Sequence, residues 1–274
     1  MGVSGKTGIA FPSVVDRAYQ EYKKHRKVAD IMSTGVVITT PRTSMVDAAR
    51  IMGERRIGSL IVVRYGTPIA IVTERDLLSK VFAAGLDPNE TAVEDVMSFP
   101  LVRVCPGIEI REAARTMIRK KGRLTVFECG QICGVITASD LIREMPEAAE
   151  TSLPVEDYMT RDVISVRPEE KITDVVHLMG TERIGSVIVT RDGSPQGIFT
   201  ERDLLTTLLA RGESLDIPVG DVARFPLITA PAGISIHKAA FTMAKNHIRR
   251  LPLVRRKKIV GIITARDLVE AYAK

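Results

Sequence analysis

Apolar positions along this chain trace one pattern written four times. In each copy a short apolar run precedes a stripe with spacing i, i+3, i+4, i+7: Met45, Ala48, Ala49, Met52; Ile110, Ala113, Ala114, Met117; Ile172, Val175, Val176, Met179; Ile236, Ala239, Ala240, Met243. That spacing sets the four residues on one face of an α-helix, and its identical phase in every copy assigns the face to the core. The preceding runs, 36–39, 101–104, 163–166 and 227–230, predict short strands. Each is closed by a proline (Pro41, Pro106, Pro168, Pro231) that stops the strand and prepares a helix start. After the helix, runs at 59–63 and 69–72 flank Gly66-Thr67-Pro68, and runs at 186–189 and 197–199 flank Asp192-Gly193-Ser194-Pro195. With turns at Cys129-Gly130-Gln131 and at 255–258 in the other copies, these predict β-hairpins. A second helical stripe follows, as in Leu77, Leu78, Val81, Phe82 and Leu204, Leu205, Leu208, Leu209. The unit is β-α-β-β-α and the fold class is α/β (α+β).

Every hairpin ends in Thr-x-x-Asp-Leu, at Thr73, Thr137, Thr200 and Thr264, and the aspartates are 64, 63 and 64 residues apart. So regular a period means one unit repeated throughout the chain. Repeats 1 and 3 share Arg-Ile-Gly-Ser and Thr-Glu-Arg-Asp-Leu-Leu, while repeats 2 and 4 share Phe-Pro-Leu and Thr-Ala-x-Asp-Leu, so a two-repeat module was itself duplicated. The expected limits are a basic helical extension at 1–27 and repeats at 28–90, 91–150, 151–217 and 218–274.

Composition, 45% hydrophobic and 26% charged, with no apolar stretch approaching the ~20 residues of a membrane span, predicts a soluble cytoplasmic protein. Few Asn and Gln beside many charges, and no Trp, give a thermophile-like bias. Cys105, Cys129 and Cys133 lack a nearby histidine or a second cysteine pair, so they are expected to be buried apolar thiols and not a metal site. Four scattered histidines and no glycine-rich phosphate loop after a strand exclude a recognisable catalytic constellation, so the chain is not expected to be an enzyme.

Thr-x-x-Asp admits two readings. Threonine as N-cap and aspartate at N3 form a capping box. The same helix start offers free amides and a positive dipole to a phosphate, and a carboxylate able to accept from two ribose hydroxyls.

Val-x-Asp-x-Met at the head of the first three repeats, the β-α-β-β-α order and the ending Gly-h-h-Thr-x-x-Asp-Leu (h, apolar) resemble cystathionine-β-synthase (CBS) domains over about 28–272. Ala70 replaces the glycine in repeat 1. The resemblance implies two Bateman modules, each a pair of repeats packed through their strands, forming a flat disk as in the γ subunit of AMP-activated protein kinase. It implies that Asp76, Asp140, Asp203 and Asp267 hold ribose, with Thr73, Thr137, Thr200 and Thr264 beside sugar and phosphate. Before the aspartate, Arg75, Arg202 and Arg266 can take a phosphate bidentately, whereas repeat 2 has Ser139. Residues entering the second strand, Ile57, Ile184 and Arg249, are implied to face base or phosphate. Repeat 4 adds His247 and Arg250, and repeat 2 adds Lys120, Lys121 and Arg123. Repeat 4 is therefore the first candidate for a phosphorylated ligand and repeat 2 the last.

Charge is uneven: +4 over 1–27, then 0, −1, −5 and +8 over the four repeats. Lys23, Lys24, Arg26 and Lys27 cluster ahead of repeat 1, and Arg255, Arg256, Lys257 and Lys258 on a hairpin of repeat 4. Such clusters serve RNA, a ribosomal surface or an acidic protein, or simply a solvated face. The leading expectation is a regulatory protein that binds AMP, ADP or ATP and changes its affinity for a protein partner, with a homodimer also compatible. The alternative is a ribosome- or RNA-binding translation repressor.

Overall fold

The computed structural model describes residues 26–144 and 153–274. Repeat 1 contains β1 (Ile38–Thr39), a helix (Met45–Glu54), β2 (Ser59–Arg64) and β3 (Thr67–Thr73). Repeat 2 contains β4 (Val102–Val104), a helix (Ile110–Lys120), β5 (Leu124–Glu128) and β6 (Gln131–Ile136). Repeat 3 contains β7 (Ser165–Val166), a helix (Ile172–Thr181), β8 (Ser186–Arg191) and β9 (Ser194–Thr200). Repeat 4 contains β10 (Ala230–Pro231), a helix (Ile236–Lys245), β11 (Arg250–Arg255) and β12 (Lys258–Thr264). A closing helix follows each third strand.

Each repeat makes a three-stranded sheet whose first strand runs parallel to the second and whose second and third form a hairpin. The first strands are shorter than the apolar runs predict, and Pro231 lies inside β10 instead of after it. As β10 is an edge strand, paired only with β11, a residue without an amide is tolerated there. The hairpin turns are tighter than predicted. Their two central residues, Tyr65-Gly66, Cys129-Gly130, Asp192-Gly193 and Arg256-Lys257, all have positive φ, the type I′ geometry that matches strand twist. Pro68 and Pro195 consequently fall within β3 and β9, beside a register shift on the sheet edge.

Sheets join repeats 1 and 2, and repeats 3 and 4, while helices join 1 to 3 and 2 to 4. Ile61, Ile71 and Leu101 pack between the first two sheets, and bridges Ser33 to Val135 and Ile71 to Ser98 tie each repeat's leading segment to the other's third strand. Thr160 to Ile262 and Ile198 to Arg224 do the same for repeats 3 and 4. One helical core mixes Met45, Met52, Leu77 and Val81 of repeat 1 with Ile172, Met179, Leu204 and Phe199 of repeat 3. A second mixes Ile110, Met117 and Leu141 with Met243, Leu268 and Val269 of repeats 2 and 4. Around the resulting ring the order is 1, 2, 4, 3. The ring brings the starts of the closing helices of repeats 1 and 3 against each other at its middle.

The closing helices differ with repeat type. In repeats 2 and 4 they are α-helices, Ala138–Arg143 and Ala265–Ala273. In repeats 1 and 3 one α-turn (Glu74–Asp76, Glu201–Asp203) runs into a π-turn (Leu77–Val81, Leu204–Leu208) and a 3-10 turn ended by Gly85 or Gly212 in the left-handed region. Against these turns lie Gly180 and Gly53 of the opposite repeat.

Cys105 and Cys129 are exposed and Cys133 half-buried, contrary to the expectation of buried thiols, because Cys129 occupies a hairpin tip. Among the described residues no cluster of metal-ligating side chains forms, and no helix is long and apolar enough to cross a membrane.

Candidate functional site

The aspartate half of the predicted capping box forms in all four Thr-x-x-Asp motifs, and the threonine hydroxyl also accepts from the aspartate amide in repeats 1, 3 and 4. Aspartate Oδ2 accepts from the threonine amide at 2.9, 2.9, 3.0 and 2.8 Å and from the threonine hydroxyl at 2.6, 2.7, 2.6 and 2.8 Å in repeats 1 to 4. Capping consumes one carboxylate oxygen and leaves the other, Oδ1, to face outward from the helix start. What meets Oδ1 separates the repeats. Asp76 Oδ1 is held by Lys80 Nζ at 2.7 Å and by the Ser98 hydroxyl at 3.1 Å. Asp203 Oδ1 is held by Arg224 Nε at 2.5 Å. Asp140 Oδ1 lies 3.4 Å from the exposed Arg143. Among the described residues, no cation lies within ion-pairing distance of Asp267. Burial pushes its carboxyl above the ordinary aspartate range, against the lowering effect of its bonds to Thr264.

A cavity of about 470 Å³ opens beside Asp267 and runs to the middle of the ring. One wall comes from repeat 4, with Thr264, Ala265, Arg266 and Asp267. The opposite wall comes from repeat 3: Thr160, Asp162, Val163 and Ile164 before and in the approach to β7, and Ile184, Gly185 and Ser186 entering β8. The inner end carries Thr73 and Arg75 of repeat 1, Arg123 and Thr137 of repeat 2, and Arg249 and Arg250. Thus Ile184 of repeat 3 and Asp267 of repeat 4 line the same cavity. Of the remaining sequence-predicted residues, Ile57 packs against the helical core shared by repeats 1 and 3. Asp76, Asp140, Thr200, Arg202, Asp203 and Ile57 are not part of the wall.

Strand register refines one position. Counting from the positive-φ residue that ends the first helix (Arg56, Arg183, His247), Ile57 and Ile184 correspond to Ile248. Arg249 therefore stands in the place of Gly58 and Gly185, and Arg250 in that of Ser59 and Ser186. Gly58 needs its lack of side chain, since a Cβ there would lie 2.6 Å from Glu74 Oε1 and 2.7 Å from Arg123 Nη2.

That crowding marks a buried charge cluster. Glu74 accepts from Arg123 Nη2 at 3.0 Å and from Arg249 Nη1 at 3.4 Å, and Glu201 accepts from Arg250 Nη2 at 2.6 Å. Both glutamates are buried, and the second oxygen of each, Oε2, has no hydrogen-bond partner, nor has Arg202 Nη2. Burial opposes ionisation of Glu201, but Arg250, Arg75 and Arg123 outweigh it and hold the carboxyl below the ordinary glutamate range. Burial dominates at Arg249 and brings its guanidinium down to about 10. Arg250 is raised, because burial is outweighed by Glu201 and its neighbours. The guanidinium of Arg75 donates to the Arg183 carbonyl at 2.9 Å. Sequence reading overlooked the glutamates, and their signal was the alternation itself. Repeats 1 and 3 carry Thr-Glu-Arg-Asp where 2 and 4 carry alanine, and the arginines that pair with the glutamates come from 2 and 4.

The basic clusters fare differently. Lys23 and Lys24 lie outside the described residues. Arg26 pairs with Glu144 and Arg255 with Glu156, while Lys27, Arg256, Lys257 and Lys258 are exposed.

The CBS domain model matches residues 28–83, 93–147, 155–210 and 219–274. The chain belongs to the CBS domain family. Protein MJ1225 of Methanocaldococcus jannaschii is 27% identical over 270 residues, spanning 87% of this chain and 95% of that one. Its crystal structure, described as that of a proposed archaeal homologue of the AMP-activated protein kinase γ subunit, is similar at a TM-score of 0.73 and 24% identity over 90% of this chain and all of that one. A conserved Pyrococcus horikoshii protein has a TM-score of 0.62 at 20% identity, covering 90% of this chain and 100% of its own. These likenesses establish the four-CBS fold.

Proposed function

We propose that this CBS protein is a regulatory sensor of adenine nucleotides, AMP, ADP or ATP, and that the cleft between CBS 3 and CBS 4 is its principal site. The observation that carries the reading is the coincidence, in one cavity, of an Asp267 carboxylate without an ion pair among the described residues and an inner wall of arginines. Asp267 Oδ1 accepts the ribose hydroxyls, Ile184 packs against the base, and the phosphates extend past Thr264 and Arg266 toward Arg75, Arg249 and Arg250. Arriving phosphate oxygens compete with Glu74 and Glu201 for the same guanidiniums. As those pairs join different repeats, a ligand that redistributes them favours one packing of the ring over another. A protein partner that reads this packing would complete the regulation, without catalysis by the CBS units.

Calorimetric titration with AMP, ADP and ATP, with S-adenosylmethionine and NAD as comparators, tests the reading. Saturable binding that Asp267→Ala weakens at least ~10-fold is expected, the effect of losing a hydrogen bond to a charged group. Binding to none of these ligands would refute it.

A further inference from the structure

In all four repeats an equivalent residue forms the bridge that ties a leading segment to the neighbouring third strand, the strand that ends in Thr-x-x-Asp. Ser33, Ser98 and Thr160, all with short hydroxyl side chains, occupy that position in the first three repeats, and Ser98 donates to Asp76 Oδ1 at 3.1 Å. Repeat 4 has Arg224 there, and its backbone is fixed by reciprocal bonds with Ile198, N to O at 2.9 Å and O to N at 3.1 Å. From that anchorage the side chain reaches Asp203 Oδ1 at 2.5 Å, while Thr200 takes Oδ2. Both oxygens of a carboxylate only 2% exposed are thereby engaged.

We infer that Arg224, a cation supplied by the chain itself and with its side chain 56% exposed, closes the Asp203 carboxylate to nucleotides, making it a specificity-determining residue for how many sites the chain offers; this inference rests on the reading of Asp267 as a ribose ligand. A ribose diol would have to displace the charge-assisted bond that Arg224 makes to Asp203 Oδ1. Asp267, which lines one cavity with Thr160 of the same module, meets no such cation among the described residues. The motif Thr200-Glu201-Arg202-Asp203 is thus retained as a helix cap and a link in the ring, with its ligand function occupied from within. Repeat 1 reaches a similar state by another route, because Lys80, four residues along the same helix, bonds Asp76 Oδ1 and also the Val96 carbonyl at 2.5 Å.

The test is calorimetric stoichiometry with AMP and with ATP for the wild type, Arg224→Ser, Asp203→Asn and the double variant. Asp203→Asn keeps an acceptor for the Thr200 cap. The expected result is that Asp203→Asn binds like the wild type, Arg224→Ser takes up one further equivalent per chain, and the double variant loses that equivalent. A lower stoichiometry in Asp203→Asn, or an unchanged one in Arg224→Ser, would overturn the inference. The Asp267 reading fails separately: if the wild type binds nothing but Arg224→Ser binds one equivalent, that reading falls while the role of Arg224 stands.

Discussion

Asp267 carries opposed demands in one side chain. In the proposed role its carboxylate is ionised and accepts ribose hydroxyls, yet burial disfavours that ionisation. An acid whose folded pKa is raised contributes stability at low pH that is lost as pH rises through that pKa. At neutral pH Asp267→Asn should therefore raise the thermal midpoint of the unliganded protein while weakening nucleotide binding, which differential scanning fluorimetry with and without ATP measures. A lowered midpoint would count against the burial account. Wild-type affinity should also fall more steeply than that of the Asn variant as pH drops from neutral, beginning above the ordinary aspartate range, since phosphate protonation affects both proteins alike. The four capping boxes were legible in the sequence because they are local. The fate of Oδ1 was not, as its partners Ser98 and Arg224 are fixed by bridges between repeats and not by spacing along the chain.

At the scale of elements, the helical stripes fell where periodicity predicts because core burial and helix phase make the same demand. Turn geometry was less legible: a two-residue turn with positive φ at Tyr65 or Arg256 is selected by strand twist, and these side chains give no local signal for it. The π-turns were also hidden, and the packing beside them makes a sharp prediction. Replacing Gly53 by alanine would bring Cβ to 2.4 Å from the Leu205 carbonyl oxygen, and at Gly180 to 2.2 Å from that of Leu78. Alanine gains about 1 kcal/mol of helix propensity over glycine. Overpacking against a backbone atom costs about 1–3 kcal/mol. With contacts this far inside van der Waals distance the steric loss should win, and urea denaturation should show either variant destabilised by up to about 2 kcal/mol.

At the scale of the whole molecule, alternation of repeat types and closure of the ring are one fact seen twice. The glutamates of CBS 1 and 3 need the arginines of CBS 2 and 4, and the Glu74–Arg249 pair links the two modules directly. Glu201→Ala would leave Arg250 buried without its main counter-ion, for which about 3–5 kcal/mol of destabilisation is expected in chemical denaturation. Since Glu201 is held below the ordinary glutamate range, its contribution is present above that range and lost as pH falls through its folded pKa. In the proposed function the same cluster couples ligand charge to ring packing. The most direct measurement is calorimetric titration of the wild type and of Asp267→Asn with ATP at neutral pH, with circular dichroism to verify the fold. Saturable binding by the wild type, weakened at least ~10-fold in a folded variant, is the predicted result; equal affinity in the two proteins, or no binding by the wild type to ATP, ADP or AMP, would contradict it.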